Sequence, residues 1–253
     1  MNVLFLDAPY KGKVALCKET IDYLVKKKIK TVGLYASVQF SSNLEKVKAQ
    51  LHEIGVKVIT SKTDRTHVKG QLLGCDSYHE SLNLHSLEDK SIEAYLYIGD
   101  GKFHPLALVY GQKDLLLSEV KEIICDDPLR EKMTLMNFEE IKVILRKYRA
   151  SLMKFLNATK IGVVVTVKQG QEHLRASYML EKKFPAKKFY YFLDDNVSFN
   201  QLENFPFIEV WVNTTCPRVG FDDQEKFFKG VINLNDAYSA MEILGKESVL
   251  MNV

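Results

Sequence analysis

The 253-residue sequence contains no apolar run approaching the roughly 18 residues of a membrane-spanning helix. Met1–Lys13 has no charged start ahead of an apolar stretch and no small-residue cleavage pattern, so it does not read as a secretory signal. These absences predict a cytoplasmic protein with no membrane partner. An excess of one charge is also missing. Lys and Arg number 35 against 32 Asp and Glu, a net +3, too even a balance for the basic surface of a nucleic-acid binder. Cysteines are few and scattered, at 17, 75, 125 and 216. That excludes a disulfide scaffold, and the lack of any CxxC pair excludes a zinc ribbon or a ferredoxin-type run. A metal site would have to be assembled from distant parts of the fold. No low-complexity segment or flexible linker interrupts the chain. What is there is ordinary for a globular protein, 46% apolar and 26% charged residues. At roughly 100–200 residues per domain, the length suggests one large domain or two small ones.

Strand and helix signals alternate. Thr31–Val38 is a short apolar run that reads as a strand. Ser42-Asn-Leu-Glu45 then fits a capping box. Leu44, Val47, Leu51 and Ile54 recur at helical spacing, and Gly55 can close that helix. Residues 56–60 read as the next strand, and strand–helix–strand is the signature of a parallel α/β layer. Residues 94–98 form another strand, ending at Gly99-Asp-Gly101. A long helix is predicted over 138–157, with Phe138, Ile141, Leu145, Tyr148, Leu152 and Phe155 on one face. A strand over 161–167, a helix over 172–183, and strands over 189–193, 208–213 and 230–234 follow. Asn235 could cap a final helix that Gly245 ends.

The second half resembles the first. TVGLYASVQ (31–39) aligns with KIGVVVTVK (160–168), and IEAYLYIGD (92–100) with IEVWVNTTC (208–216). The alternative is that two unrelated strand patterns happen to look alike. A duplication predicts an α/β fold of two similar parallel-sheet domains around a shared cleft. The division is expected near Asp127-Pro128, giving 1–128 and 129–253, because Pro disfavours helix at the residue before it.

In open parallel sheets, ligands collect at the carboxyl ends of the strands, and the unusual residues gather there. They are Gly74-Cys75, Gly99-Asp-Gly-Lys-Phe-His-Pro105, Lys168-Gln-Gly-Gln171 and Thr214-Thr-Cys-Pro-Arg218. Most lone buried cysteines are small core residues. Cys17, placed on a helix among Val14, Ile21 and Leu24, is assigned to the core, as is Cys125 after Ile123-Ile124. Cys75 and Cys216 sit in loops beside Gly or Pro, where a side chain is presented rather than packed. Gly99-Asp-Gly101 could be only a tight turn. Gly170-Gln171 could be only the entry to a helix, although such an entry offers free N–H groups to an anion. Arg218 suits bidentate capture of a carboxylate, or a surface ion pair with Asp222 or Asp223. Lys26–Lys28 reads as the solvated end of a helix. Spacing alone therefore suggests a metal or anion site and names no reaction.

The ordered set of loops goes further. Gly70-Gln-Leu-Leu-Gly-Cys75, Tyr97-Ile-Gly-Asp-Gly-Lys-Phe-His-Pro105, Lys168-Gln-Gly-Gln171 and Asn213-Thr-Thr-Cys-Pro-Arg218 through Asp222-Asp223 resemble the archaeal diphthamide synthase family. These are 2-(3-amino-3-carboxypropyl)histidine synthases. Asp127-Pro128 and Phe205-Pro206 fit the same pattern. The resemblance implies three repeated α/β domains, each giving one cysteine to a [4Fe-4S] cluster whose open iron binds S-adenosylmethionine. It implies radical transfer of the 3-amino-3-carboxypropyl group to a histidine of translation elongation factor 2, without the CxxxCxxC motif of the larger radical family. Under it Cys75 is the metal ligand of the middle domain and Cys216 that of the last. Gln171 and Arg218 are placed near the methionine part of the cofactor. Gly101 and His104 belong to the cofactor-binding Gly-Asp-Gly motif, and no residue is assigned a catalytic role.

The resemblance also implies that this chain starts near the end of the family's first domain, so that domain and its cysteine are absent. His173 stands where the family often has a basic residue. Three readings follow. The chain is one subunit of a split synthase, with a second chain supplying the missing domain and third cysteine. It is a non-catalytic supporting subunit. Or it is a different ligand-binding α/β protein on the same scaffold. An oligomer is expected.

Overall fold

The computed structural model describes residues 8–84, 89–168, 173–196, 198–222, 226–227 and 229–245. Contacts divide the chain into two units. The first comprises Met1–Gln112 with Ser118–Ile141, the second Lys113–Leu117 with Lys142–Val253.

The first unit opens with α1 (Lys18–Lys27), then β1 (Thr31–Ala36), α2 (Val38–Ser41), α3 (Leu44–Glu53) and β2 (Lys57–Ile59). After a long connection come β3 (Ala94–Ile98), α4 (Pro105–Tyr110), β4 (Ile123–Asp127) and β5 (Lys132–Met136). The strand order is β2-β1-β3-β4-β5. The first four run parallel, and β5 returns antiparallel on β4. All six residues of β1 are buried, as a central strand covered on both faces requires. Val32, Leu34 and Ala36 pack with Leu24 of α1, and with Leu44, Val47 and Leu51 of α3.

The long α5 (Phe138–Asn157) begins in the first unit and runs into the second. Ile141, Leu145, Tyr148, Leu152 and Phe155 are fully buried, the face read from their spacing. Then follow β6 (Lys160–Thr166), α6 (Leu174–Ser177), α7 (Met179–Lys183), β7 (Lys188–Asp194) and α8 (Phe199–Leu202). β8 (Val210–Asn213), α9 (Pro217–Asp222), β9 (Val231–Asn233) and α10 (Leu234–Gly245) complete the unit. Its sheet is wholly parallel in the order β7-β6-β8-β9.

The two sheets share one order, with the second strand outside, then the first, third and fourth. They also share a detail of packing. Gly33 of β1 lies opposite Tyr95 of β3, and Gly162 of β6 lies opposite Trp211 of β8. In each case the aromatic ring covers the glycine, where a Cβ would collide with it. An aromatic ring laid across a strand glycine restores the cover that the missing side chain cannot give.

Several local expectations are corrected. The capping box at Ser42-Asn-Leu-Glu45 does not form. Ser42 closes α2, Asn43 precedes α3 without a side-chain cap, and Glu45 pairs with Lys48 at 2.6 Å. The helix expected over 172–183 is two short helices that meet at Tyr178. Asn235 is inside α10, which starts at Leu234. Cys17 is not on a helix but in extended backbone at the N-cap of α1. Asp127-Pro128 lies in the β4–β5 hairpin, within the first unit. The Asp127 Oδ1 atom accepts the N–H of Leu129 (3.0 Å) and of Arg130 (3.1 Å), a side-chain-closed turn. Residues Met1–Asp7 lie outside the described residues.

Candidate functional site

In the first unit the segment Gly70–Leu72 lies along the end of β1. The Ala36 N–H donates to Gly70 O (2.8 Å), and the Leu72 N–H donates to Ala36 O (2.9 Å). The chain then turns at Gly74-Cys75. Asp76, fully buried, ties this turn down. Its Oδ2 accepts the Leu73 N–H (2.9 Å) and the Thr63 hydroxyl (2.8 Å). Burial pushes the Asp76 carboxyl above its usual range, against those two donors. Cys75 is left half-buried and outside any disulfide.

The Gly-Asp-Gly loop meets this turn. The Phe103 ring rests on Gly74 so closely that a Cβ there would lie 2.5 Å from it. His104 is half-buried at the N-cap of α4. It stacks on Tyr97 of β3 (6.3 Å, 17°) and meets Phe103 edge-on (5.2 Å). Thus the unit brings Gly74-Cys75 and Gly99–Pro105 to one place, at the carboxyl ends of β1 and β3. Beside them is a cavity of about 270 Å³ lined by Gly99, Gly101, Lys102, Cys125, Asp127, Arg130, Lys132 and Thr134. Three cations against one carboxylate make it favourable to an anion. A cavity of about 670 Å³ near α3 and β2 holds none of the motif residues.

The two remaining thiols of this unit are core groups. Cys17 donates to Asp126 Oδ1 (3.3 Å). Burial, then Asp126, pushes it up to about 12. Cys125 is pushed up to about 12 by burial.

In the second unit, β8 ends at Asn213, whose side chain organises the loop that follows. Its Oδ1 accepts the Thr215 N–H (3.1 Å) and hydroxyl (2.7 Å), and its Nδ2 donates to Cys216 O (2.9 Å). The same Nδ2 reaches Asn233 Oδ1 at the end of β9 (2.7 Å), and Asn233 Nδ2 donates to Pro217 O (3.0 Å). Gly220 is what lets α9 lie this close, because a Cβ there would overlap the Asn233 amide. Cys216 is held half-buried at the mouth of α9, a free thiol, with Pro217 in the first turn.

Behind this loop is a buried polar chain. The Tyr148 hydroxyl accepts the Asn233 N–H (3.2 Å) and donates to Asp236 Oδ2. Asp236 Oδ1 lies 3.4 Å from Lys113 Nζ, which also pairs with Asp114 at 2.8 Å. Burial works against the Lys113 ammonium, but Asp236 and then Asp114 outweigh it and raise its pKa. Arg218, also buried, is paired with Asp222 through Nε (2.7 Å) and Nη2. The ion pair weighed for the surface is therefore inside the protein.

Gln171 and Asp223 lie outside the described residues. Cys75 and Cys216 fall in different units. They do not occupy equivalent places, since Cys75 follows β2 and Cys216 follows β8; the residue of the first unit that stands before an equivalent helix is His104, ahead of Pro105. Among the described residues no group of three or more His, Cys, Asp or Glu side chains could hold a metal ion, and no helix is long and apolar enough to cross a membrane. Sequence reasoning missed Asn233, Tyr148, Asp236 and Lys113. A signal for Asn233 was present, because β8 and β9 both end apolar-then-Asn (VWVN, VIN). Lys113 and Asp236 are too far apart in sequence to signal one another.

Two α/β units of one strand order, with half-buried thiols and polar loops at the carboxyl ends of their strands, define a duplicated α/β protein. The chain belongs to the diphthamide synthesis protein family, whose profile matches residues 1–249. It is 29% identical over 233 residues to the 2-(3-amino-3-carboxypropyl)histidine synthase of Pyrococcus horikoshii, covering 87% of this chain and 63% of that protein. It is 24% identical over 221 residues to subunit 1 of the synthase of the same name from Yarrowia lipolytica, covering 86% of this chain and 46% of that one. The crystal structure of Dph2 from Pyrococcus horikoshii with a 4Fe-4S cluster superposes with a TM-score of 0.69 at 28% identity, over 91% of this chain and 62% of that chain. The chain thus spans less than two thirds of the length of these relatives.

Proposed function

We propose that this chain is a subunit of a diphthamide synthase, with Cys75 and Cys216 as thiolate ligands of a [4Fe-4S] cluster. The observation that carries the reading is the sorting of the thiols. Cys75 and Cys216 are half-buried on organised loops, whereas Cys17 and Cys125 are buried and held protonated. Soft thiolates on a presented loop suit an iron–sulfur cluster, so the donor chemistry fits, with two of the three protein ligands expected. A second chain supplies the third cysteine. When bound, the cluster supplies the electron that opens the bond from the S-adenosylmethionine sulfur to the aminocarboxypropyl group.

The chain's own residues do the rest. Arg218, oriented by Asp222, and Gln171 hold the methionine carboxylate and amine. Gly101 and His104, backed by Tyr97 and Phe103, line the cofactor side of the first unit. The network from Asn213 to Lys113 fixes the Cys216 loop. The acceptor is a histidine of translation elongation factor 2, in the cytoplasm, and the two units correspond to the family's middle and last domains.

The test is an anaerobic assay with S-adenosylmethionine, a reductant, elongation factor 2 and each candidate partner chain. Release of methylthioadenosine, with a matching mass gain on the factor, is expected, and it should be lost in Cys75→Ala and Cys216→Ala. Turnover untouched by both substitutions would sink the reading. It would favour the second one, a supporting subunit, for which the observation is that the described residues bring no three metal-binding side chains together.

A further inference from the structure

The β4–β5 hairpin and the Gly-Asp-Gly loop border the cavity of about 270 Å³ in the first unit. That is just below the roughly 300–1,000 Å³ of pockets for drug-sized ligands, so its occupant is small. Its floor is a row of side chains on one face of the sheet. Tyr97 of β3 pairs with Cys125 of β4, and Cys125 pairs with Thr134 of β5. Residues paired across neighbouring strands share a face. In the row nearer the strand ends, Asp127 pairs with Lys132. Asp126, between Cys125 and Asp127, turns to the other face, where it meets Cys17 and Thr20.

The cations come from two separate elements. Lys102 is on the loop, and Arg130 and Lys132 are on the hairpin. Of the lining residues only Asp127 is acidic. It is already engaged, through Oδ1 with the N–H groups of Leu129 and Arg130 and through Oδ2 with Arg130 Nη1 at 3.8 Å. Lys102 and Lys132 make no ion pair among the described residues. Cys125 adds no negative charge, because burial holds it as the thiol. The cavity therefore carries an excess of two positive charges, and a cleft lined by one sign of charge focuses its field on an ion of the other.

We propose that this cavity binds a phosphate dianion, free or as the monoester of a small ligand, and that the bound anion clamps the Gly-Asp-Gly loop to the β4–β5 hairpin. Lys102 grips the anion from the loop, Arg130 and Lys132 grip it from the hairpin, and the Thr134 hydroxyl donates from the floor. Such charge-assisted bonds to phosphate are the strong ones. A carboxylate would balance only one of the two charges. S-adenosylmethionine, with a sulfonium and an ammonium against one carboxylate, is a net cation and does not suit the cavity. The clamp is felt at Cys75. Phe103, the neighbour of Lys102, rests on Gly74, so a loop held still keeps that ring over the Gly74-Cys75 turn. The inference concerns the first unit alone and stands apart from the cluster reading.

The test is calorimetric titration of the full chain with inorganic phosphate at constant ionic strength, with chloride as the background anion. Saturable binding is expected. Lys102→Gln and Lys132→Gln should each weaken it at least about tenfold, and Thr134→Val about threefold. All three side chains are exposed, so unchanged thermal melts without phosphate are expected and check the fold. Lys48→Gln, at the other cavity of this unit, should bind like the parent. Adenosine monophosphate bound more tightly than phosphate identifies a monoester as the ligand, and the reverse identifies the free anion. Saturating phosphate should slow iodoacetamide labelling of Cys75 relative to Cys216 in the parent chain and not in Lys102→Gln. The inference is overturned if neither probe binds saturably, if binding is untouched by both lysine substitutions, or if acetate binds as tightly as phosphate. Displacement of phosphate by S-adenosylmethionine, or Cys75 labelling indifferent to phosphate, overturns it equally.

Discussion

Burial pushes the Cys125 thiol up to about 12, and burial together with Asp126 does the same for Cys17. A thiol reacts as its thiolate, so iodoacetamide near pH 8 should label Cys75 and Cys216 in the folded chain and reach the other two only after unfolding. Peptide mass spectrometry reads this directly, and equal labelling of all four would contradict it. The same shifts make stability depend on alkali. In the unfolded chain these thiols ionise near 9.0. Between that value and about 12 the folded chain therefore holds more protons than the unfolded one, and stability falls as pH rises. Cys125→Ala should flatten the fall in urea midpoint between about pH 8 and pH 10. A slope unchanged by the substitution would show that the thiol is not the buried acid described. Gly220 is the other informative residue. A methyl group there must displace Asn233, so Gly220→Ala should cost about 1–3 kcal/mol and speed labelling of Cys216 relative to Cys75. A stable variant with unchanged labelling would show that the amide pair does not set the loop.

At the scale of elements, the sequence made the strands with strong apolar runs legible, because β1, β3 and β6 are buried on both faces and read as unbroken hydrophobic stretches. α5 was legible for a different reason, since one face of five turns is apolar at constant spacing. β5 was not, because its burial alternates and Lys132-Met-Thr-Leu-Met136 carries no turn signal of its own; the hairpin depends on Asp127 closing the turn. The capping box failed because a short helix, α2, occupies the residues that the box would need in extended form. The buried chain from Asn233 through Tyr148 and Asp236 to Lys113 joins β9, α5, α10 and the 113–117 segment, and nothing local could show it. Asp236→Ala takes one carboxylate away from the buried Lys113 ammonium, at an expected cost of about 3–5 kcal/mol. Adding Lys113→Met should recover part of that loss, because the buried ammonium goes with it. Additive losses in denaturant titrations would contradict a coupled pair.

For the whole molecule, the two sheets share a strand order and a glycine–aromatic pairing, so the duplication read from short sequence alignments is a duplication of structure. The candidate site was legible as motifs, with Gly74-Cys75 and Gly99–Pro105 meeting within the first unit and Thr214–Arg218 organised within the second. What the sequence concealed was how the second loop is held, because Asn233 reaches it from the neighbouring strand β9 and is itself backed by Tyr148 and Asp236. The account rests on Cys75 and Cys216 as cluster ligands. The measurement that tests this most directly is anaerobic reconstitution with iron and sulfide, alone and with each candidate partner chain, followed by iron content and electron paramagnetic resonance. The expected result is about four irons per complex and a cubane signal that changes when S-adenosylmethionine is added and is lost in Cys75→Ala and Cys216→Ala. Failure to bind iron in every combination, or a signal unaffected by both substitutions, would contradict it.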